Sequence, residues 1–174
     1  MALCEALIGT DANCESNSGG LLKIYIAQYG LITSTTEVAG SLSTITTAGG
    51  AAVFHEFSFN RNTCSYTETA NISIENGSQF VSQSISLNLA RREKVKRGAI
   101  QKLMDGIQKL VIIVRDSNGL FWYFGLTDGV TVTAVEGGSG VAKGDANAYV
   151  ITFLGEEPTF APEVSSSIIS ALIV

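Results

Sequence analysis

The chain has 174 residues, 45% of them hydrophobic and 16% charged, with a formal net charge of -5. This much apolar content excludes a disordered chain, and the length is enough for one sizeable core. The acidic balance opposes non-specific wrapping of nucleic acid, which needs an excess of phosphate-neutralising cations, and no run reaches the ~18 apolar residues of a membrane helix.

Residues 1–20 lack a clear hydrophobic period and end in Ser18-Gly19-Gly20, which reads as an arm leading into the fold. Its start has no basic segment and carries Glu5 and Asp11, a poor match to a secretory signal. Cys4, Cys14 and Cys64 are odd in number and irregular in spacing, so reduced thiols in a cytoplasmically made protein are expected rather than a disulfide framework or zinc site.

The first strand is expected over residues 22–27, rich in β-formers, and a second over 52–59. The Ser/Thr/Gly stretch between them, 33–50, reads as a loop or weak edge. Next come two runs of strict alternation. Cys64, Tyr66, Ala70, Ile72 and Ile74 alternate with Ser65, Thr67, Thr69, Asn71 and Ser73. Past Asn76-Gly77, the residues of 81–89 alternate likewise, with Ser82, Ser84, Ser86 and Asn88 on the polar side. Period-two alternation puts apolar side chains on one face of a strand, and Asn-Gly between two such runs is a strong hairpin signal. Glu68 interrupts the apolar face without an evident partner.

After the hairpin the period changes. The apolar positions Val95, Ala99, Ile100, Leu103, Met104 and Ile107 recur every three to four residues, which predicts one amphipathic helix over about residues 91–108. The cluster Arg91-Arg92-Glu93-Lys94-Val95-Lys96-Arg97 forms its first turns in this reading. Strands are then expected over 110–114, 120–126, 130–135 and 148–154, with turns at 116–119 and 128–129 and a glycine-rich loop at 137–147. The fold class is mainly β: an antiparallel β-sandwich or half-barrel with a long hairpin, one packed helix and extended terminal arms. One domain is expected over 21–164, flanked by the arm 1–20 and an apolar tail, 165–174, that would dock on a neighbour.

Chemistry finds little support. The single histidine, His55, shares a side with Val53, Phe57 and Phe59 and reads as a packed core or interface residue, and no nucleophile-elbow motif exists. Residues 138–144 lack the Gly-Lys-Ser/Thr order and the following helix of a phosphate loop. Phe121-Trp122-Tyr123-Phe124 could stack bases, but without interleaved cations it reads as core. No catalytic, cofactor or metal site is expected, and the chain is not expected to be an enzyme.

Three phrases carry a resemblance: FNRNTCSYTETANISIENGSQFVSQSISLNL, DSNGLFWYFGLTDGVTVTA and KGDANAYVITFLGEEPTFAPEV. With the hairpin–helix–hairpin order, over about residues 21–164, the chain resembles structural proteins of tailed bacteriophages of the tail-tube type. The resemblance implies a virion protein of the tail or neck that assembles into hexameric rings. The rings would stack into a tube that conducts DNA and meet other tail or neck proteins, without membrane contact or cofactor. Thr67, Thr69, Asn71, Ser73, Ser82, Ser84, Ser86 and Asn88 would then face the lumen. Arg91, Arg92, Lys94, Arg97 and Lys102 would meet acidic groups such as Glu156 and Glu157 between subunits. The alternatives are another ring-forming neck, tail-terminator or connector protein and, in other classes, a nucleic-acid-binding module using the basic helix or a carbohydrate-binding sandwich.

Overall fold

The computed structural model describes residues 17–105 and 108–174. Eleven strands and two α-helices follow in chain order: β1 (Leu21–Gln28), β2 (Ile32–Val38), β3 (Ser41–Thr47), β4 (His55–Phe57), β5 (Ser65–Ser73), β6 (Ser78–Ala90), α1 (Lys94–Met104), β7 (Leu110–Asp116), β8 (Phe121–Phe124), β9 (Val130–Gly138), β10 (Ala148–Glu157), β11 (Glu163–Val164) and α2 (Ser166–Leu172). The fold is mainly β with a flanking helix, as the sequence indicates.

The strands form one continuous path, β2-β3-β11-β8-β7-β9-β10-β6-β5, with β1 paired to β7 and β4 to β1. The path bends at β9, which touches β7 through the single pair Leu110–Val130 and then runs the length of β10. The bend divides the sheet into two layers, a central one (β4-β1-β7-β8) and an outer one (β5-β6-β10-β9).

β7 explains the layering. Its run Leu110–Val114 is buried throughout, because one face meets each of two cores. Leu110, Ile112 and Val114 pack with Ile24, Ile85, Leu87, Ile151 and Phe153 in the core between the layers. Val111 and Ile113 pack with Tyr25, Leu42, Phe54, Tyr123 and the α2 residues Ile169 and Leu172 in a second core. The aromatic run 121–124 is divided the same way: Phe121 and Tyr123 enter the second core and Phe124 the first, which makes it core, as expected.

Four expectations need correction. Residues 33–50 are an edge and not a loop: most form the β2–β3 hairpin, with β2 at the end of the strand path and the turn at Ala39 and Gly40 with positive φ. Their hydroxyl-rich sequence hid the pairing, because only Leu42, Ile45 and Thr47 of this hairpin are buried. The tail does not wait for a neighbour. It folds as α2 over the second core, and its end is tied down by Val53 N–H and Phe54 N–H donating to Leu172 O and by Val174 N–H donating to Phe54 O, at 3.1, 3.0 and 2.9 Å. His55 is exposed on the short strand β4, while Val53 and Phe54 before it are both buried, an irregularity that alternation could not anticipate.

The fourth concerns the helix. α1 begins at Lys94, because Arg91 takes a positive φ of 62° and ends β6 with a sharp turn. Its buried stripe is Lys96, Ala99, Ile100 and Leu103, a spacing of three and four residues, with only Ile100 fully buried. Val95, expected to pack on the sheet, is 81% exposed, and Met104 is also exposed. Ile107, Cys4, Cys14 and most of the arm lie outside the described residues. Asn17 to Gly20 are bonded to the turn between β7 and β8 through Ser117 and Asn118.

Candidate functional site

The long hairpin forms as its alternation requires. β5 and β6 pair antiparallel from Ser65–Ser86 to Ser73–Ser78, with Gly77 in the connecting turn at φ 62°. β6 then pairs with β10, and β10 with β9, all antiparallel. The registers stack residues into rows across the outer layer. Ser65, Ser86, Thr152 and Ala134 share one row; Thr67, Ser84, Leu154 and Thr131 share another; Thr69, Ser82 and Glu156 a third. Asn88, Val150 and Glu136 make a fourth.

These rows form one face of the outer layer, and all eight sequence-predicted polar residues lie on it: Thr67, Thr69, Asn71, Ser73, Ser82, Ser84, Ser86 and Asn88. Side chains on the opposite face are buried, Ile85, Leu87, Ile151 and Phe153 of them in the first core. Within the described residues no element packs over the polar face. Its one side-chain pair is Asn71 Nδ2 donating to Ser82 Oγ at 2.8 Å. The charged residues in its rows are Glu136 and Glu156, both exposed and both acidic. Phe80, opposite Asn71, is an exposed aromatic that the sequence reasoning did not single out.

Glu68, which had no evident partner, accepts a hydrogen bond from Gln83 Nε2 at 3.2 Å and from Ala161 N–H at 2.7 Å. Gln83 is buried, and its Oε1 accepts from Gly125 N–H at 3.2 Å. The pair therefore pins β5 and β6 to the β8–β9 turn and to the segment before β11. A glutamine on an otherwise apolar face opposite a glutamate was the available signal, since buried polar groups need partners.

Glu157 was expected between subunits and is instead internal. It is 2% exposed at the end of β10. Its carboxylate accepts from Thr127 N–H at 2.9 Å, Asp128 N–H at 2.9 Å and Gly129 N–H at 3.3 Å. These bonds hold the turn that delivers β9 to β10. In that turn Gly125, with φ 80°, leaves no room for a side chain: an added Cβ would lie 2.9 Å from Gly129 Cα. Glu156, the neighbour by one residue, points the other way onto the polar face, while α1 packs on the core face. The two glutamates thus do not form one acidic partner for the helix.

The basic residues divide likewise. Arg91 pairs with Glu93 at 2.9 Å, and Arg92 lies over the Tyr149 ring at 5.0 Å from its centroid. Lys96 donates to the carbonyls of Ala90 and Arg91, which end β6. Lys94, Arg97 and Lys102 are exposed and make no ion pair within the described residues. Arg92, Lys94 and Arg97, with Glu93, Ser139, Asn147 and Tyr149, line an open depression of about 350 Å³. Cationic residues in the first turn oppose the helix dipole, so this end of α1 is suited to an anionic neighbour.

Burial pushes the Cys64 thiol up, and Asn88 N–H donates to its sulfur at 3.3 Å, which leaves it a packed group rather than a nucleophile. Among the described residues no group of three His, Cys, Asp or Glu side chains could hold a metal ion.

The outer layer has two open edges. β5 ends the strand path, so its outer edge is unpaired among the described residues. β9 is paired to β10 on one side, and beyond Val130 its other side is unpaired among the described residues. Comparison of the chain with protein-family models, with curated proteins and with solved structures finds no match.

Proposed function

We propose that the protein is a virion structural component that assembles into stacked rings, forming a tail tube through which phage DNA passes. The observation that carries this is the outer layer: four antiparallel strands with an uncovered hydroxyl face and two open edges of compatible direction. β5 and β9 run antiparallel to each other, since three antiparallel pairings separate them. Setting β9 of one copy beside β5 of the next therefore continues the antiparallel pattern. Repeating that step closes a barrel and removes both edges, which a lone subunit would leave as aggregation sites.

In such a barrel one face of the outer layer looks inward. The core face is already filled, so the polar face lines the bore. Its hydroxyl and amide groups hydrate well, and Glu136 and Glu156 repel phosphate. A lining without cations lets duplex DNA slide, because each fixed cation would add a phosphate contact. For a hexamer, about 24 strands at ~4.8 Å spacing and ~40° tilt give a backbone diameter of roughly 48 Å. The same geometry would serve another ring-forming protein of the neck or tail end, and the form of the assembly separates that reading from a tube.

Negative-stain microscopy and light scattering of the purified chain over a range of concentrations test the proposal. Rings or tubes with a central bore are expected. A monomer that persists at high concentration would refute it.

A further inference from the structure

Two features on the core side of the outer layer, at opposite edges, match each other. The first is at the hairpin tip. β5 and β6 run past the end of β10, which stops at the pair Glu157–Val81. Ile72 continues the apolar face of β5 beyond it, Ile74 follows in the turn, and the two are 72% and 94% exposed. The second is a cleft of about 160 Å³ between the end of α1 and the open edge of β9, lined among the described residues by Leu103, Met104, Val132, Ala134 and Val135, with Gln108 and Thr133 as its polar members.

We infer that Ile72 and Ile74 of one copy seat in the α1–β9 cleft of the next, so that this knob and cleft fix the register of the ring. The inference rests on the ring proposal and adds the residues that join the copies. Three constraints lead to it.

The first is the side of the sheet. Ile72 shares its face with Tyr66 and Glu68, and Val132 and Val135 pack against the core between the layers. Joining β5 to β9 edge to edge keeps all of them on one side. The second is direction. α1 runs antiparallel to β9, with Arg92 near Gly137 at its start and Leu103 near Val132 at its end. The cleft therefore opens at the half of β9 that antiparallel pairing sets against the far half of β5.

The third is offset. Following the rows across the sheet, Val132 lies level with Phe153, Ile85 and Tyr66. The free edge of β5 spans rows Ser65 to Ser73, whereas the free edge of β9 lies level with the start of β5 and beyond it. The two edges meet fully only if neighbouring copies slip along the strand direction. A closed barrel requires such a slip: four strands at ~4.8 Å and a tilt of ~35–45° give about 13–19 Å, or roughly four to six residues at ~3.3 Å. Only an even slip keeps apolar faces together, since an odd one turns Ile72 onto the polar side. A slip of six sets Ile72 opposite Val132 and Ala70 opposite Val135, with Asn71 beside Ala134 and Thr69 beside Glu136 on the lumen side.

The contact is heterologous, because knob and cleft are different surfaces, and it therefore builds rings rather than pairs. Cross-linking tests it. In a chain with Cys4→Ser and Cys14→Ser, the double variant Ile72→Cys/Val132→Cys should oxidise to a ladder of covalent multimers, while each single variant should give none beyond dimers. Rings visible by microscopy without a ladder from the double variant overturn the contact and leave the ring proposal standing; absence of any assembly by the parent chain overturns both. As a second measure, Ile72→Asp/Ile74→Asp changes only exposed side chains and should leave the monomer's melting temperature unchanged. It should raise the concentration needed for assembly at least about tenfold. Assembly at the parent concentration would also overturn the contact.

Discussion

Replacing Glu157 with alanine isolates the device that positions β9. Three backbone N–H groups, of Thr127, Asp128 and Gly129, donate to this one carboxylate, which is almost wholly buried. Hydrogen bonds to a charged group contribute about 1.5–3 kcal/mol each, and a buried donor left unpaired costs about 1–3 kcal/mol. Thr127 and Asp128 are exposed, so water can replace part of what they lose; Gly129 is buried and has no such recourse. The loss for Glu157→Ala is therefore about 3–4 kcal/mol, which lowers Tm by roughly 10 °C in a chain of this size. Glu157→Gln keeps one acceptor and the side-chain volume, and should cost about half as much. Urea unfolding measures both, at a concentration where the chain is monomeric, because assembly would add its own stabilisation. Amide exchange should show the loss concentrated at Thr127–Gly129. If Glu157→Ala unfolds within about 1 kcal/mol of the parent, the carboxylate is not what holds the turn.

Three further outcomes follow from the same geometry. Ser84→Lys on the polar face should leave folding and rings intact but make assembled tubes retain duplex DNA at about 50 mM salt and release it near 200 mM, read by co-sedimentation; tubes indifferent to the substitution would remove the polar face from contact with DNA. Ile100→Ala should cost about 2–3 kcal/mol in urea unfolding, because it empties the one fully buried position of α1, whereas Val95→Ala should stay within about 0.5 kcal/mol despite its place in the helical apolar pattern. The Asp145 carboxyl is held below its ordinary range by N–H groups of Ala142 and Val141. Its folded pKa is depressed, so its hold on the loop is complete above the unfolded carboxylate value and is lost as pH falls through the lower folded one. The Val141 and Ala142 amide resonances should move only in that acid range, and Asp145→Asn should abolish the movement.

The hairpin was legible in the sequence because alternation and an Asn-Gly turn are local signals that agree. Val81 to Leu89 could bury one face only as a strand, and its eight polar partners on the two arms then had to share the other. The helix α1 was legible for the same reason, but its start was not. Arg91 breaks the chain direction with a left-handed turn, and no local periodicity reports where β6 ends. The basic cluster was over-read as one surface: Arg91 and Arg92 are engaged before the helix begins, Lys96 closes the end of β6, and only Lys94, Arg97 and Lys102 stand free of such contacts among the described residues. The β2–β3 hairpin and the docking of α2 were not legible, since each depends on a second core gathered from distant segments: Leu42 and Ile45 meet Val111, Ile113 and Tyr123 there, and Ile169 and Leu172 meet Tyr25 and Phe54.

Which residues alternate, and hence the two faces of the long hairpin, the class of the fold and the cation-free character of the polar face, can be read along the chain. Alternation and turn chemistry are properties of neighbours along the chain, and they need no knowledge of what packs above them. Packing sets which edges stay open, turns Glu157 inward while Glu156 faces out, and leaves Ile72 and Ile74 beyond the core at the edge opposite the α1–β9 cleft. Those properties depend on which strand lies beside which, and strand order is fixed by non-local burial.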